Sequence, residues 1–213
     1  MANNNQIYKM SNAGGFKSLN RYYDMLAGNP AFVAATYNSI ATITVGAGGT
    51  SNVEFTGIPS IYTHLQIRGI MQSNRPIYTT DNVDISVGNG SIDTAANYSK
   101  HSIYTDFLAG TATIADGTPN ATNLISGFST TAVAGAFGVF VADILDYTNP
   151  NKYKTARMIS GADGNGSVLG YNPSVGLTSG NWRSFSSITN IRIKANLDIM
   201  NQNSTFALYG IKG

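Results

Sequence analysis

The chain has 213 residues, and Gly (23), Asn (23), Thr (21) and Ser (20) together make up about 41% of it. Charged residues are 11%, less than half the roughly 25% of an ordinary soluble domain, while 12 Tyr, 9 Phe and one Trp supply the apolar bulk that disordered chains lack. With no Cys, disulfide scaffolds, thiolate zinc centres and cysteine nucleophiles are excluded, and with 13 bases and 11 acids dispersed along the chain, neither nucleic acid nor a membrane surface is expected as a partner.

Apolar runs fall far short of the ~20 residues that a membrane helix needs, and Met1-Ala2-Asn3-Asn4-Asn5-Gln6 has neither the basic nor the apolar region of a signal peptide. Residues 1–37 are expected to be an arm carrying one short helix. Within 18–27, Leu19, Tyr22, Tyr23 and Leu26 fall at i, i+3, i+4 and i+7, one helical stripe. Ser18 is the expected N-cap, Gly28 the left-handed C-cap and Pro30 the stop. A helix of about ten residues is unstable alone in water, so this one must dock on its own domain or on another subunit. The segment is rich in Tyr, Phe and Met and poor in charge, as the centre of a subunit interface tends to be. Tyr8, Phe16, Leu19, Tyr22, Tyr23, Met25 and Leu26 are therefore its candidate interface residues.

From residue 38 onward, alternation with period two predicts an antiparallel β-sandwich of jelly-roll type. Nine or ten runs start near residues 39, 52, 63, 83, 98, 123, 137, 153, 187 and 204. Leu65, Ile67, Gly69 and Met71 share one face of the third run, and His64, Gln66 and Arg68 the other. The run from Phe137 to Leu145 is apolar on both faces except at Asp143, which predicts an inner strand. Turns are expected at Gly46 to Gly49, Pro59, Asn89-Gly90, Asp116-Gly117, Asn149-Pro150, Asp163-Gly164-Asn165-Gly166 and Asn172-Pro173.

No motif that carries chemistry is complete. His64 and His101 are the only histidines, and no Gly-x-Ser-x-Gly elbow accompanies them. Gly164 to Gly170 approaches a dinucleotide loop, but its last glycine comes one residue late and no helix follows. Asp163, Asn165 and Ser167 start like an EF-hand, yet Val168 and Ser174 stand where its Gly and Glu belong. A looser oxygen site at Asp81-Asn82-Val83-Asp84 competes with plain Asx-turns. Among the carboxylates Glu54, Asp84, Asp106, Asp143 and Asp146, Asp143 interrupts an apolar strand, and Lys152, Lys154 or Arg157 is its expected partner. Trp182, in Ser179-Gly180-Asn181-Trp182-Arg183, either stacks on a sugar from an exposed loop or plugs the end of the core. No catalytic residue, cofactor or metal site is assigned.

Several segments together carry a resemblance. They are Val53-Glu54-Phe55 with Ile58-Pro59 and Tyr62-Thr63-His64-Leu65, and Asp146-Tyr147-Thr148-Asn149 with Lys152-Tyr153-Lys154-Thr155. Gly180-Asn181-Trp182-Arg183, Ile188-Thr189-Asn190-Ile191-Arg192-Ile193 and Ser204 to Lys212 follow in order. Over roughly residues 50–213 the set resembles small jelly-roll structural proteins of tailed bacteriophages, cyanophages among them. The resemblance implies a non-enzymatic virion protein on the outer surface of the particle, made in the host cytoplasm. The first expectation is a capsid decoration (cement) protein, a homo-oligomer with the trimer favoured, bound to the major capsid protein. The alternative is a tail-fibre or receptor-binding module for host-surface glycans, with Trp182 as a contact.

Overall fold

Alternating β-branched and polar residues put most of the described residues into strands. The computed structural model describes residues 37–76, 80–106, 112–131, 135–162 and 174–212. The expected arm and helix, with Tyr8, Phe16, Leu19, Tyr22, Tyr23, Met25 and Leu26, lie outside the described residues, as do the turns at 163–166 and 172–173. Among the described residues there are thirteen strands and no helix. They are β1 (Tyr37–Thr44), β2 (Asn52–Phe55), β3 (His64–Ser73), β4 (Thr80–Asn89), β5 (Ser91–Ile92), β6 (Tyr98–Asp106) and β7 (Ala112–Ala121). Then come β8 (Ile125–Thr131), β9 (Gly138–Leu145), β10 (Lys154–Ala162), β11 (Ser174–Trp182), β12 (Asn190–Ala195) and β13 (Thr205–Ile211).

One ladder runs β1-β13-β3-β9-β10-β11-β6-β7 and a smaller one β2-β12-β4-β8, with β5 attached to β4. Every pairing is antiparallel except the junction of the two ladders. There the end of the ten-residue β3 outruns its own ladder, and Gln72 and Ser73 lie parallel to Thr130 and Thr131 of β8. The N-terminal strands depend on the C-terminal ones: β1 pairs with β13, which then pairs with β3, and β2 pairs with β12, which then pairs with β4.

One hydrophobic core takes side chains from both ladders. Leu65, Ile67 and Met71 of β3, Phe140, Ala142 and Ile144 of β9, and Phe206 and Leu208 of β13 supply the larger side. Val53 and Phe55 of β2, Val83, Ile85 and Val87 of β4, and Ile191 and Ile193 of β12 supply the other. Each fully buried side chain of this size contributes about 1.5–3 kcal/mol. Gly69 is part of the same face because its partners in register are Phe206 and Phe140, whose rings lie 6.1 Å apart and occupy the space a side chain would need.

β8 lies close on the large ladder. A Cβ on Gly180 would stand 1.8 Å from the Leu124 carbonyl oxygen, and one on Gly176 would stand 2.8 Å from the Phe128 ring. β4 pairs with one edge of β8 and β3 reaches only its last two residues, so the backbone along the rest of the other edge needs other partners. Phe128 N donates to Ser160 Oγ at 3.0 Å, and Thr178 Oγ1 donates to the Ser126 carbonyl at 2.7 Å. Hydroxyls of β10 and β11 stand in for a neighbouring strand.

All ten expected runs are strands. β5, β7 and β11 were not expected, and Asp116-Gly117, expected as a turn, lies inside β7 opposite Ser102 and His101. β9 is the inner strand expected, between β3 and β10, but only one of its faces is buried, because Val139 is 55% exposed and Asp143 is half-buried. The turns at Gly46 to Gly49 and Asn89-Gly90 are present, with Gly48, Gly49 and Gly90 at positive φ.

Candidate functional site

On β11 the usual alternation is inverted, and on β10 Ile159 faces out with Thr155 and Arg157. Ser174, Gly176, Thr178 and Gly180 point inward, where β8 leaves no room for bulk, and Val175 and Leu177 point out. Ile159 (62% exposed) lies between Val141 on β9 and Leu177 on β11, and Leu177 lies beside Ile103 (54%) on β6. At ~4.8 Å between strands, these four side chains form an apolar row about 15 Å long, with a shallow pocket among Val141, Ile159 and Leu177. A second row on the same face holds Val175 (60%), Val139 and Ile70. Exposed apolar area here is on the order of 500 Å² or more, at the upper end of what a monomer normally shows to water. Polar residues border it: Asp143 accepts from Gln66 Nε2 at 2.8 Å and pairs with Arg157 Nε at 3.2 Å. Of the three cations expected near Asp143, Arg157 is the partner.

A polar cleft of about 570 Å³ lies elsewhere, lined by the outward side of β4 and β12, the β5–β6 loop, and β6 and β7. Val83, Ile85 and Val87 face the core, so Asp84 and Ser86, between them in sequence, face the opposite way. Arg192 and Lys194 are placed likewise on β12, opposite Ser86 and Asp84 in register. From the other wall Lys100 Nζ donates to Asn123 Oδ1 at 2.8 Å and to Ser126 Oγ at 2.7 Å, and Ser126 Oγ donates to Asp84 Oδ1 at 2.7 Å. Burial raises the Asp84 carboxyl above its ordinary value, with the Ser126 hydrogen bond and Lys100 opposing. Burial lowers the Lys100 ammonium, with Asp84 opposing. Arg192 Nε is held by Glu54 at 2.6 Å.

The sequence candidates do not converge. His64 opens β3, and its Nδ1 accepts from Asp146 N at 3.0 Å. His101 is exposed on β6, near Gly117. Asp81 faces the core side of β4, 4.0 Å from Arg75, while Asp84 faces the cleft, so the two do not share an oxygen site. Among the described residues no three His, Asp or Glu side chains come together as metal ligands. Trp182 is not on an exposed loop. It ends β11 between Lys154 and Tyr98, is 3% exposed, and donates from Nε1 to Asp93 Oδ2 at 2.8 Å. It plugs the core and offers no open ring face to a sugar. Burial acts to raise the Asp93 carboxyl, but hydrogen bonds from Trp182, Asn97 and Ala95 N outweigh it and hold the group below its ordinary value.

Sequence reasoning missed both the apolar face and the cleft. The one available signal was Asp84-Ile85-Ser86 with Arg192-Ile193-Lys194, two strands whose polar faces are both charged. A comparison with protein-family models finds no match, and a comparison with curated proteins finds none either.

Proposed function

We propose that the chain is a non-enzymatic structural protein of a tailed-phage particle, a head-decoration protein that acts as a homo-oligomer, with the trimer favoured, on the major capsid protein. The observation that carries this reading is the exposed apolar face of Ile103, Val141, Ile159 and Leu177. A stable interface buries roughly 800 Å² per partner, and a face of this size with a hydrogen-bonded polar border suits the centre of one. The ordered resemblance over residues 50–213 supplies the particle. The jelly-roll form of the β-rich fold belongs to the same proposal.

The test is the double variant Ile159→Lys, Leu177→Lys. Both side chains are exposed, so the melting temperature should stay within a few degrees of the wild type. The mass by light scattering should drop to the monomer, or binding to isolated phage heads should be lost. Unchanged mass together with unchanged head binding refutes the reading, as does a wild-type protein that is monomeric and ignores heads. The rival reading, glycan recognition by a receptor-binding module, loses Trp182 as a contact.

A further inference from the structure

We propose that the cleft between β4, β12 and the β6–β7 pair binds an acidic saccharide, a ligand with several ring hydroxyls and one negative charge. The proposal does not rest on the capsid reading. At about 570 Å³ the cleft lies within the ~300–1,000 Å³ of small-molecule sites.

Its floor holds two polar side chains that are more than nine-tenths buried and not fully bonded. Asp84 is 5% exposed and uses Oδ1 for the Ser126 hydroxyl, while Oδ2 has no hydrogen-bond partner among the described residues. Ser86 is 7% exposed, and its hydroxyl has no partner among them either. Neither atom is sealed from solvent, and both residues line the cleft. Buried polar groups are nearly always hydrogen-bonded, so these two atoms are open positions for a ligand. A carboxylate oxygen only accepts, and a hydroxyl both donates and accepts. Adjacent sugar hydroxyls match that pair. Thr118, Thr122 and Asn196 extend the polar lining, and Ile92 and Ala121 give an apolar patch for the C–H face of a ring.

Charge narrows the class. Of the three lining cations, Lys100 is bonded to Asn123 and Ser126, and Arg192 is paired with Glu54. Lys194 makes no hydrogen bond or salt bridge among the described residues and acts on Asp84, opposite it in register, only at longer range. Its ammonium is the lining cation left to take one carboxylate on the ligand. A polyphosphate or nucleic acid would need several free cations.

The experiment probes the full-length chain with an array of neutral and uronate- or sialate-bearing oligosaccharides, then titrates the best acidic hit by calorimetry. Acidic glycans should bind. Lys194→Gln should weaken the hit about tenfold by removing a charge-assisted bond and should bring its affinity down to that of the neutral counterpart. Ser86→Ala should weaken both counterparts alike. Each variant must keep the wild-type melting temperature within a few degrees, and Lys194, at the less buried edge, is the safer of the two. Absence of any bound acidic glycan overturns the proposal, and so does wild-type affinity in both variants. The Ile159→Lys, Leu177→Lys protein should bind the saccharide normally, so failure here and failure of the capsid reading stay distinguishable.

Discussion

Replacing Lys154 by Met would remove an ammonium that ties the 146–152 turn to the strand below. The side chain has no exposed surface, and Nζ donates to the carbonyls of Asn149 at 2.6 Å, Lys152 at 2.8 Å and Phe185 at 3.3 Å. A hydrogen bond from a charged donor contributes about 1.5–3 kcal/mol, against a desolvation cost of several kcal/mol for the ammonium. Met keeps the stem and leaves the carbonyls unpaired, so the expected net loss is about 2–4 kcal/mol. At about 2–4 °C per kcal/mol for a domain of this size, the melting temperature should fall by about 5–15 °C. Lys152→Met is the control, since that ammonium is 62% exposed beside Asp146 and such pairs contribute about 0–1 kcal/mol. Burial also lowers the Lys154 ammonium, with Asp146 opposing. Between that lowered value and the unfolded value of about 10.4, the unfolded chain binds more protons, so stability rises with pH across this window. In Lys154→Met the rise should shrink, leaving the part due to Lys100 set against Tyr98 and Tyr147, whose hydroxyls burial raises and which act in the opposite direction near pH 10. Calorimetric scans of both variants between pH 7 and 10 check this. A loss no larger than that of Lys152→Met, or an undiminished rise with pH, refutes the reasoning.

Gly69→Ala should cost about 1–3 kcal/mol as overpacking, because its Cβ would lie 2.4 Å from the Phe140 ring and 2.9 Å from Phe206; Gly161→Ala, whose nearest neighbour is the Ser174 carbonyl at 3.8 Å, should be neutral, and equal urea midpoints for the two would refute the account of the glycine. Trp182→Phe should keep the plug but lose the Nε1 bond to Asp93, at a cost of about 1–2 kcal/mol. The Asp93 carboxyl is held low, so its contribution is present above the unfolded value of about 3.9 and lost as pH falls through the folded value. In the variant that carboxyl should titrate higher by NMR, and an unchanged titration would refute the assignment.

Strands with their apolar residues inward were legible. Leu65, Ile67 and Met71, then Val83, Ile85 and Val87, then Ile191 and Ile193 are buried as their alternation predicts. β11 was not, because β8 rests on its inner face and only Ser, Gly and Thr fit there, which leaves Val175 and Leu177 on the surface. β7 was hidden by Asp116-Gly117 and Pro119, turn residues that a strand at the end of its ladder tolerates. The cleft was illegible for a different reason. Asp84, Ser86, Arg192 and Lys194 read as an ordinary solvent face, and only tertiary placement of Lys100 on the opposite wall turns that face into a pocket. Trp182 shows the limit of composition around a residue: its neighbours are polar, but its position in register opposite Lys154 and Tyr98 decides its burial.

The pairing order also bears on how the chain can be made. Among the described residues β1 pairs only with β13 and β2 only with β12, so β1 and β2, once made, wait for β13 and β12. Contacts so distant in sequence make folding slow, and neither ladder can close until translation has passed residue 190. Until then the nascent chain presents Val53, Phe55 and the apolar side of β4 to water. That is a long interval for a sequence with only 11% charge, and it makes a chaperone that holds unfinished chains a natural companion of its synthesis.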